Sequence, residues 1–100
     1  MATEFQNKVY RLLKRIPRGK VTTYKHIAHA LKCKAYRAVG MACNKNPFAP
    51  KVPCHRVVNS DGTLGGFARG VKAKKALLTR EGIEIKNNAI VKFKQVVYRF

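Results

Sequence analysis

Acidic side chains are what this sequence has least of: Glu4, Asp61, Glu81 and Glu84 stand against 22 lysines and arginines, for a net charge of +18. So large an excess on a short chain repels itself unless a polyanion relieves it, and its field draws polyanions from a distance. Nucleic acid fits better than an acidic membrane surface, because no segment has a clear lipid-facing amphipathic pattern. Long apolar runs are missing too. None reaches the roughly 18 residues of a membrane span, and residues 1–8 lack the apolar stretch of a signal peptide. The expected setting is inside the cell, cytoplasmic or nucleoid-associated, with no membrane partner. Cysteine is sparse. Cys33, Cys43 and Cys54 are odd in number and include no C-x-x-C pair, which argues against a disulfide framework and a cysteine-rich zinc site. His26 and His29 lie one helical turn apart but lack an evident third and fourth ligand, so no metal and no cofactor is expected. Internal repeats and low-complexity segments are absent.

What remains is enough for one small domain over residues 1–100, with a modest core; the 46% hydrophobic content lets it fold. Thr3 and Gln6 read as a capping box. Phe5, Val9, Leu12, Leu13 and Ile16 follow at helical spacing until Pro17 and Gly19 stop the helix. Thr23 is a second N-cap, with Tyr24, Ile27, Ala28 and Leu31 on one helical face. After a connection at residues 32–34, a third helix is expected over residues 35–44. Its core face would be Ala35, Ala38, Val39 and Ala42, with Arg37, Met41 and Asn44 outward. Two short helices joined by a tight turn suggest a helix-turn-helix, although many helical hairpins bind nothing.

Pro47, Pro50 and Pro53 make the next stretch stiff and irregular. A strand is expected over residues 56–58, and Ser60-Asp61-Gly62-Thr63 is a turn. A fourth helix is expected from about residue 68 to 80, burying Ala73, Ala76 and Leu77, with Gly82 as its stop. Ile83, Ile85, Ile90 and Val91 suggest a hairpin around Asn87-Asn88. The segment from Phe93 to Phe100 reads equally as a helical turn or a strand.

Within the stiff stretch, a cysteine sits beside an imidazole. The thiolate is the reactive form of cysteine, and a nearby base or positive charge raises its population. Neighbours on a strand point to opposite faces, so His55 is expected to act on Cys54 through a water, with a carboxylate orienting its other nitrogen. Composition alone leaves another reading open, a small buried cysteine beside an incidental histidine.

Pro53-Cys54-His55-Arg56-Val57 resembles the active-site motif of the O6-alkylguanine-DNA alkyltransferases. Ile16-Pro17-x-Gly19-x-Val21-x-Thr23-Tyr24-x-x-Ile27-Ala28 resembles the family's helix entry. Arg37-Ala38-Val39-Gly40-x-Ala42, then Asn46-Pro47, resembles its recognition helix and following turn. Gly65-Gly66-Phe67, Lys74, Leu77-Leu78 and Glu81-Gly82 resemble the segment after the nucleophile. The resemblance runs in order over about residues 5–82. It implies a mainly α domain with a helix-turn-helix, winged-helix-like, and short β elements near the active-site loop.

The resemblance further implies irreversible transfer of an alkyl group from O6 of guanine to Cys54, by a monomer acting on double-stranded DNA. The catalytic set would be Cys54, His55, Glu81, Tyr24 and Asn46. Glu81 would support His55, Tyr24 would donate to the leaving base, and Asn46 would hold the turn before the active-site loop. The target oxygen is stacked in the duplex, so the nucleotide must be flipped out. Arg37 would fill the gap, within a minor-groove surface of Arg37, Thr23, Ala35, Ala38 and Met41. Val57, Phe67 and Ala68 would bind the base, with the Cys54 and Val57 carbonyls reading its exocyclic amine. Phe67-Ala68-Arg69 departs from the family's usual residues, and Ala68 offers the base no side-chain hydrogen bond. The motifs begin near residue 5, so the N-terminal domain of many members is expected to be missing. Short alkyltransferase-like proteins, which bind alkylated DNA without transfer and typically carry tryptophan at the position of Cys54, supply the alternative reading.

Overall fold

The computed structural model describes residues 3–46, 51–67 and 69–100. The chain begins with α1 (Glu4–Leu13). Thr3 accepts from the Gln6 amide at 3.1 Å, and Gln6 accepts from the Thr3 amide at 3.0 Å. That closes the expected capping box, which satisfies two otherwise unpaired amides. Val9, Tyr10 and Leu13 face the core. The helix stops short of Ile16 because a residue before proline disfavours the α conformation. Arg15 and Ile16 instead make tighter bonds to Leu12 and Leu13. Ile16 still buries its side chain.

Strand β1 (Thr22–Thr23) leads directly into α2 (Tyr24–Ala30), whose N-cap is Thr23 as expected. The connection to α3 (Tyr36–Asn44) places Lys32 in the left-handed region at φ 57°. Helices α2 and α3 pack on each other, and α3 packs on α1. The expected core face of α3 is corrected in part. Val39 and Ala42 are buried, and Cys43 joins them. Ala35 is exposed ahead of the helix and Ala38 is only half-buried. Arg37, Met41 and Asn44 point outward as expected.

Pro53 leads into a single 3-10 turn, Cys54–Arg56, followed by β2 (Val57–Val58). Arg56 therefore belongs to the turn, its amide bonded to the Pro53 carbonyl, and not to the expected strand. Strands β1 and β2 pair in parallel, Thr22 with Val57 and Thr23 with Val58. Consecutive strand residues face opposite ways, and this two-residue strand divides the core. Val57 joins Val9, Leu13, Ile27, Val39 and Cys54 in one cluster, while Val58 joins Val21, Leu64, Leu78, Ile83 and Ile90 in another.

Helix α4 (Val71–Arg80) starts later than expected, after Gly70, whose φ of 95° is open to glycine. Its buried residues are Lys74 and Leu78; Ala76 is exposed, and Ala73 and Leu77 are half-buried. The register is rotated relative to the expected face because Lys74 faces inward. Gly82 ends α4 at φ 88°. Strands β3 (Ile85–Lys86) and β4 (Ala89–Ile90) form the expected antiparallel hairpin. Asn87 and Asn88 both have positive φ, the requirement of a tight two-residue turn. The last segment is helix and strand-like in succession: α5 (Phe93–Val96), then a parallel bridge between Val97 and Val21.

Thr3→Ala removes the exposed capping box without touching the core. We expect a loss of about 1 kcal/mol and a melting temperature lower by roughly 4–8 °C for a domain of this size. An unchanged thermal transition, followed by circular dichroism, would show that the box does not stabilise α1.

Candidate active site

The rigidity of the Cys54 turn comes from one carbonyl. Val52 accepts from the Cys54 amide at 2.9 Å and from the Asn46 side-chain amide at 2.7 Å. Asn46 thus ties the end of α3 to the turn bearing the cysteine. Cys54 is 4% exposed, with its thiol in the larger core cluster beside Cys43. Burial, then the charge of Cys54, pushes the Cys43 thiol up to about 12, so it stays protonated at neutral pH. Tyr24, half-buried at the start of α2, is likewise pushed up to about 12 by burial and the two thiols. Its phenol is a proton donor throughout the physiological range.

His55 lies beside Cys54 in the turn, not on an alternating strand, and is 2% exposed. Its Nε2 is 3.0 Å from Glu81 Oε2. Arg56 Nε and Nη2 donate to the two oxygens of Glu81 at 2.8 and 2.7 Å, while Nη1 donates to the Ile16 carbonyl at 2.7 Å. Burial alone would push the Glu81 carboxyl up. The hydrogen bonds from Arg56 and His55 outweigh it and hold the group below its ordinary value. Burial lowers His55, against the opposing pull of Glu81. The pair at neutral pH is therefore a carboxylate and a neutral imidazole. The carboxylate accepts only, so the imidazole proton sits on Nε2, leaving a lone pair on Nδ1. That Nδ1 is buried and has no hydrogen-bond partner among the described residues. The arrangement is that of a general base beside a thiol.

Lys74 was not among the site residues singled out by sequence. It is completely buried, and its ammonium donates to the carbonyls of Val57, Leu64 and Gly66. A cue was present: Lys74 lies one turn before Leu78 on the same helical face. The Val57 carbonyl, expected to read an exocyclic amine, thus already accepts a bond from Lys74. Phe67 is half-buried against the larger cluster, and Ala68 lies outside the described residues.

The remaining residues define a surface on α3. Arg37 is exposed at its second position, and Tyr36 and Met41 are 40% and 56% exposed. Tyr24, Lys25, Tyr36, Asn59 and Ser60 line an adjoining cavity of about 350 Å³. Thr23 is elsewhere committed: it is 1% exposed and its hydroxyl accepts from the His26 amide and meets His26 Nδ1. Its side chain orients α2 instead of reaching a ligand. Among the described residues, no three His, Cys, Asp or Glu side chains gather as a metal site.

Residues 4–83 match the family model described as the DNA-binding domain of 6-O-methylguanine DNA methyltransferase. The methylated-DNA–protein-cysteine methyltransferase of Methanosarcina barkeri is 51% identical over 80 residues, covering 79% of this chain and 51% of that protein. The protein of the same name from Saccharolobus islandicus is 52% identical over 81 residues, covering 81% and 52%. The chain spans about half the length of these curated relatives. The solved structure of Mycobacterium tuberculosis OGT in complex with DNA is 43% identical, with a TM-score of 0.78, and covers 81% of this chain and 51% of that one. S. pombe Atl1, in complex with damaged DNA containing O6-carboxymethylguanine, is 32% identical with a TM-score of 0.84, covering 100% of both chains.

The ionisation of the Glu81 cluster sets the acid limb of stability. Relative to the unfolded chain, His55 resists protonation below about pH 6.5 and Glu81 below about pH 4.3. The folded state then binds fewer protons, so stability falls as pH drops through each range. Glu81→Gln should flatten the lower limb and destabilise the protein at pH 7 by about 2 kcal/mol, since Arg56 loses its partner. Melting curves from pH 3 to 8 measure both. An unaltered acid limb in the variant would contradict the assignment of Glu81.

Proposed function

The chain belongs to the O6-methylguanine DNA methyltransferase family, and on that footing we propose that it repairs alkylated guanine in duplex DNA by taking the alkyl group onto Cys54. The observation that carries this reading is the buried Cys54 thiol followed by His55, whose free lone pair is fixed by the bond from Nε2 to Glu81. A structural cysteine needs no such base.

The chemistry follows from the groups present. His55 Nδ1 takes the thiol proton, directly or through one water, and Glu81 stabilises the imidazolium that results. The Cys54 sulfur attacks the alkyl carbon in line, forming an S–C bond as the C–O6 bond breaks. Negative charge moves into the leaving guanine, where the Tyr24 phenol donates to it. A donor that acts mainly on charge present in the transition state lowers the barrier. The thioether has no route back to a thiol, so each molecule works once. No cofactor enters this scheme.

Reaching O6 requires the nucleotide to leave the stack, at a few kcal/mol. Arg37, exposed near the start of α3, fills the gap; its planar cation stacks on bases and hydrogen-bonds to the orphaned partner. Ala35, Ala38 and Met41 give that helix a low-relief face suited to the minor groove. Val57 and Phe67 are the described residues we assign to the base pocket. In this reading the protein acts as a monomer, in the cytoplasm or on the nucleoid. No helix among the described residues is long and apolar enough to cross a membrane.

A second reading, a damage sensor without transfer, is favoured by the likeness to Atl1 over the full length of both chains. Intact mass separates the two. Incubation with a duplex carrying O6-methylguanine should add one methyl group to Cys54, while Cys54→Ser should bind that duplex with unchanged mass. Methyl transfer by Cys54→Ser would sink the assignment, and tight binding by an unmodified wild type would establish the sensor. Arg37→Ala should slow repair of duplex DNA by about tenfold, near 1.4 kcal/mol in barrier, with reaction on free O6-benzylguanine nearly unaffected. Equal loss on both substrates would make Arg37 structural.

A further inference from the structure

Among the described residues Lys74 is the largest of the fully buried side chains, and nothing in the scheme above uses it. Its three hydrogen-bond partners are main-chain carbonyls, which satisfy the ammonium's donors but carry no net negative charge. No carboxylate pairs with it among the described residues; the buried acid nearest the site, Glu81, is taken by Arg56 and His55. The groups facing Lys74 are Cys43 from α3, and Cys54 and His55 from the 3-10 turn. His55 is neutral or positive. Cys43 keeps its proton up to about 12. Among the described residues that leaves Cys54, the thiol that the scheme above deprotonates, as the facing group whose negative charge the ammonium can compensate.

We propose that Lys74 is a positioning residue for alkyl transfer, clamping β2 to the 64–66 loop and holding a fixed positive charge toward the Cys54 sulfur. The geometry serves both tasks. Val57 begins the strand that leaves the Cys54 turn, and Leu64 and Gly66 lead to Phe67 at the proposed base pocket. One ammonium thus sets the distance between nucleophile and base pocket. Helix α4, which packs on the turn, carries Lys74 and ends at Glu81, two helical turns later. One element therefore supplies the charge facing the sulfur and the carboxylate orienting its base. No bond to Lys74 forms or breaks. The thiol proton still goes to His55, and Lys74 favours the anion left behind. Burial pushes the Lys74 amine down to about 8, against the upward pull of the two thiols. The charge is present at neutral pH and weakens as the amine deprotonates above it.

This inference rests on Cys54 being the acceptor, but its test needs no DNA. Iodoacetamide labelling of Cys54, read by peptide mass so that Cys33 and Cys43 are separated, reports the thiolate directly. Lys74→Gln keeps hydrogen-bond donors without the charge, and Lys74→Met removes both. Both should slow Cys54 labelling at pH 7 by about tenfold and move its pH profile upward by about one unit. Transfer from free O6-benzylguanine should fall in rate constant in both, with weaker binding added only in Lys74→Met. A folded Lys74→Gln with the wild-type labelling profile would overturn the proposal. Should neither variant fold, the titration of Lys74 by carbon NMR at Cε decides it. In Cys54→Ser the amine should titrate at lower pH than in the wild type, and coincident curves would refute the coupling. A wild type that labels normally but accepts no methyl from DNA would count against the proposed function and leave this result standing.

Discussion

The carboxylate of Glu81 is the interaction on which the rest of the site depends. Through Arg56 it connects to the Ile16 carbonyl beyond α1, and through His55 to the turn that carries the thiol. Two segments far apart in sequence, the one at Ile16 and the Cys54 turn, are thereby fixed to the end of α4. A buried charge left without its partner is strongly unfavourable, so the carboxylate, guanidinium and imidazole hold their positions together. The same contacts decide protonation. Arg56 and His55 keep Glu81 ionised, and an ionised Glu81 keeps the imidazole proton on Nε2. The lone pair on Nδ1 follows from a chain of hydrogen bonds that begins at the Ile16 carbonyl.

Around that anchor the fold is spare. Two residues of β2 divide the core: Val57 faces the cluster built by the first three helices, and Val58 faces the one built by α4 and the C-terminal hairpin. The cysteine turn emerges at this boundary, so both halves of the core brace it. The outer face of α3 carries the opposite design, with Arg37, Tyr36 and Met41 left uncovered. Such a face suits a ligand that supplies its own apolar and anionic surface, as the edge of a nucleic-acid groove does.

Local signals made much of this legible in the sequence. The capping box at Thr3, the N-cap at Thr23, the Asn87-Asn88 turn and the Gly82 stop each depend on residues a few positions apart, and each appears in the fold. Tertiary burial was harder to read. A lone lysine rarely faces inward; carbonyls from β2 and the 64–66 loop make it possible for Lys74, and no local pattern announces them. Its burial turned α4 so that Ala76 lies outside. Likewise Ala35 and Ala38 looked like core because they are small, but packing followed Val39, Ala42 and Cys43. In the site, the link between His55 and Glu81 crosses 26 residues of sequence, and only family resemblance pointed to it. The expected strand at Arg56 failed because Arg56 turns back to reach Glu81, a contact more compelling than the β preference of its neighbours.

Three cysteines raise the question of why one should react. Composition cannot distinguish them, and neither does exposure, since Cys54 is 4% exposed and Cys43 6%. The difference lies in what surrounds each sulfur. Cys43, in the last turn of α3, has no base beside it and is held protonated to about 12. Cys33 is half-buried in the turn between α2 and α3, far in sequence from any carboxylate–imidazole pair. Cys54 has an oriented lone pair next to it in the chain and an uncompensated ammonium facing it. In a molecule so rich in cations, positive charge as such selects nothing, because most of it is solvated and screened. What selects Cys54 is the base whose tautomer is fixed beside it; the cation taken out of water faces both buried thiols and favours the one whose proton that base removes. In the proposed reaction the chain's general basicity draws in the polyanion, and these buried groups prepare the sulfur.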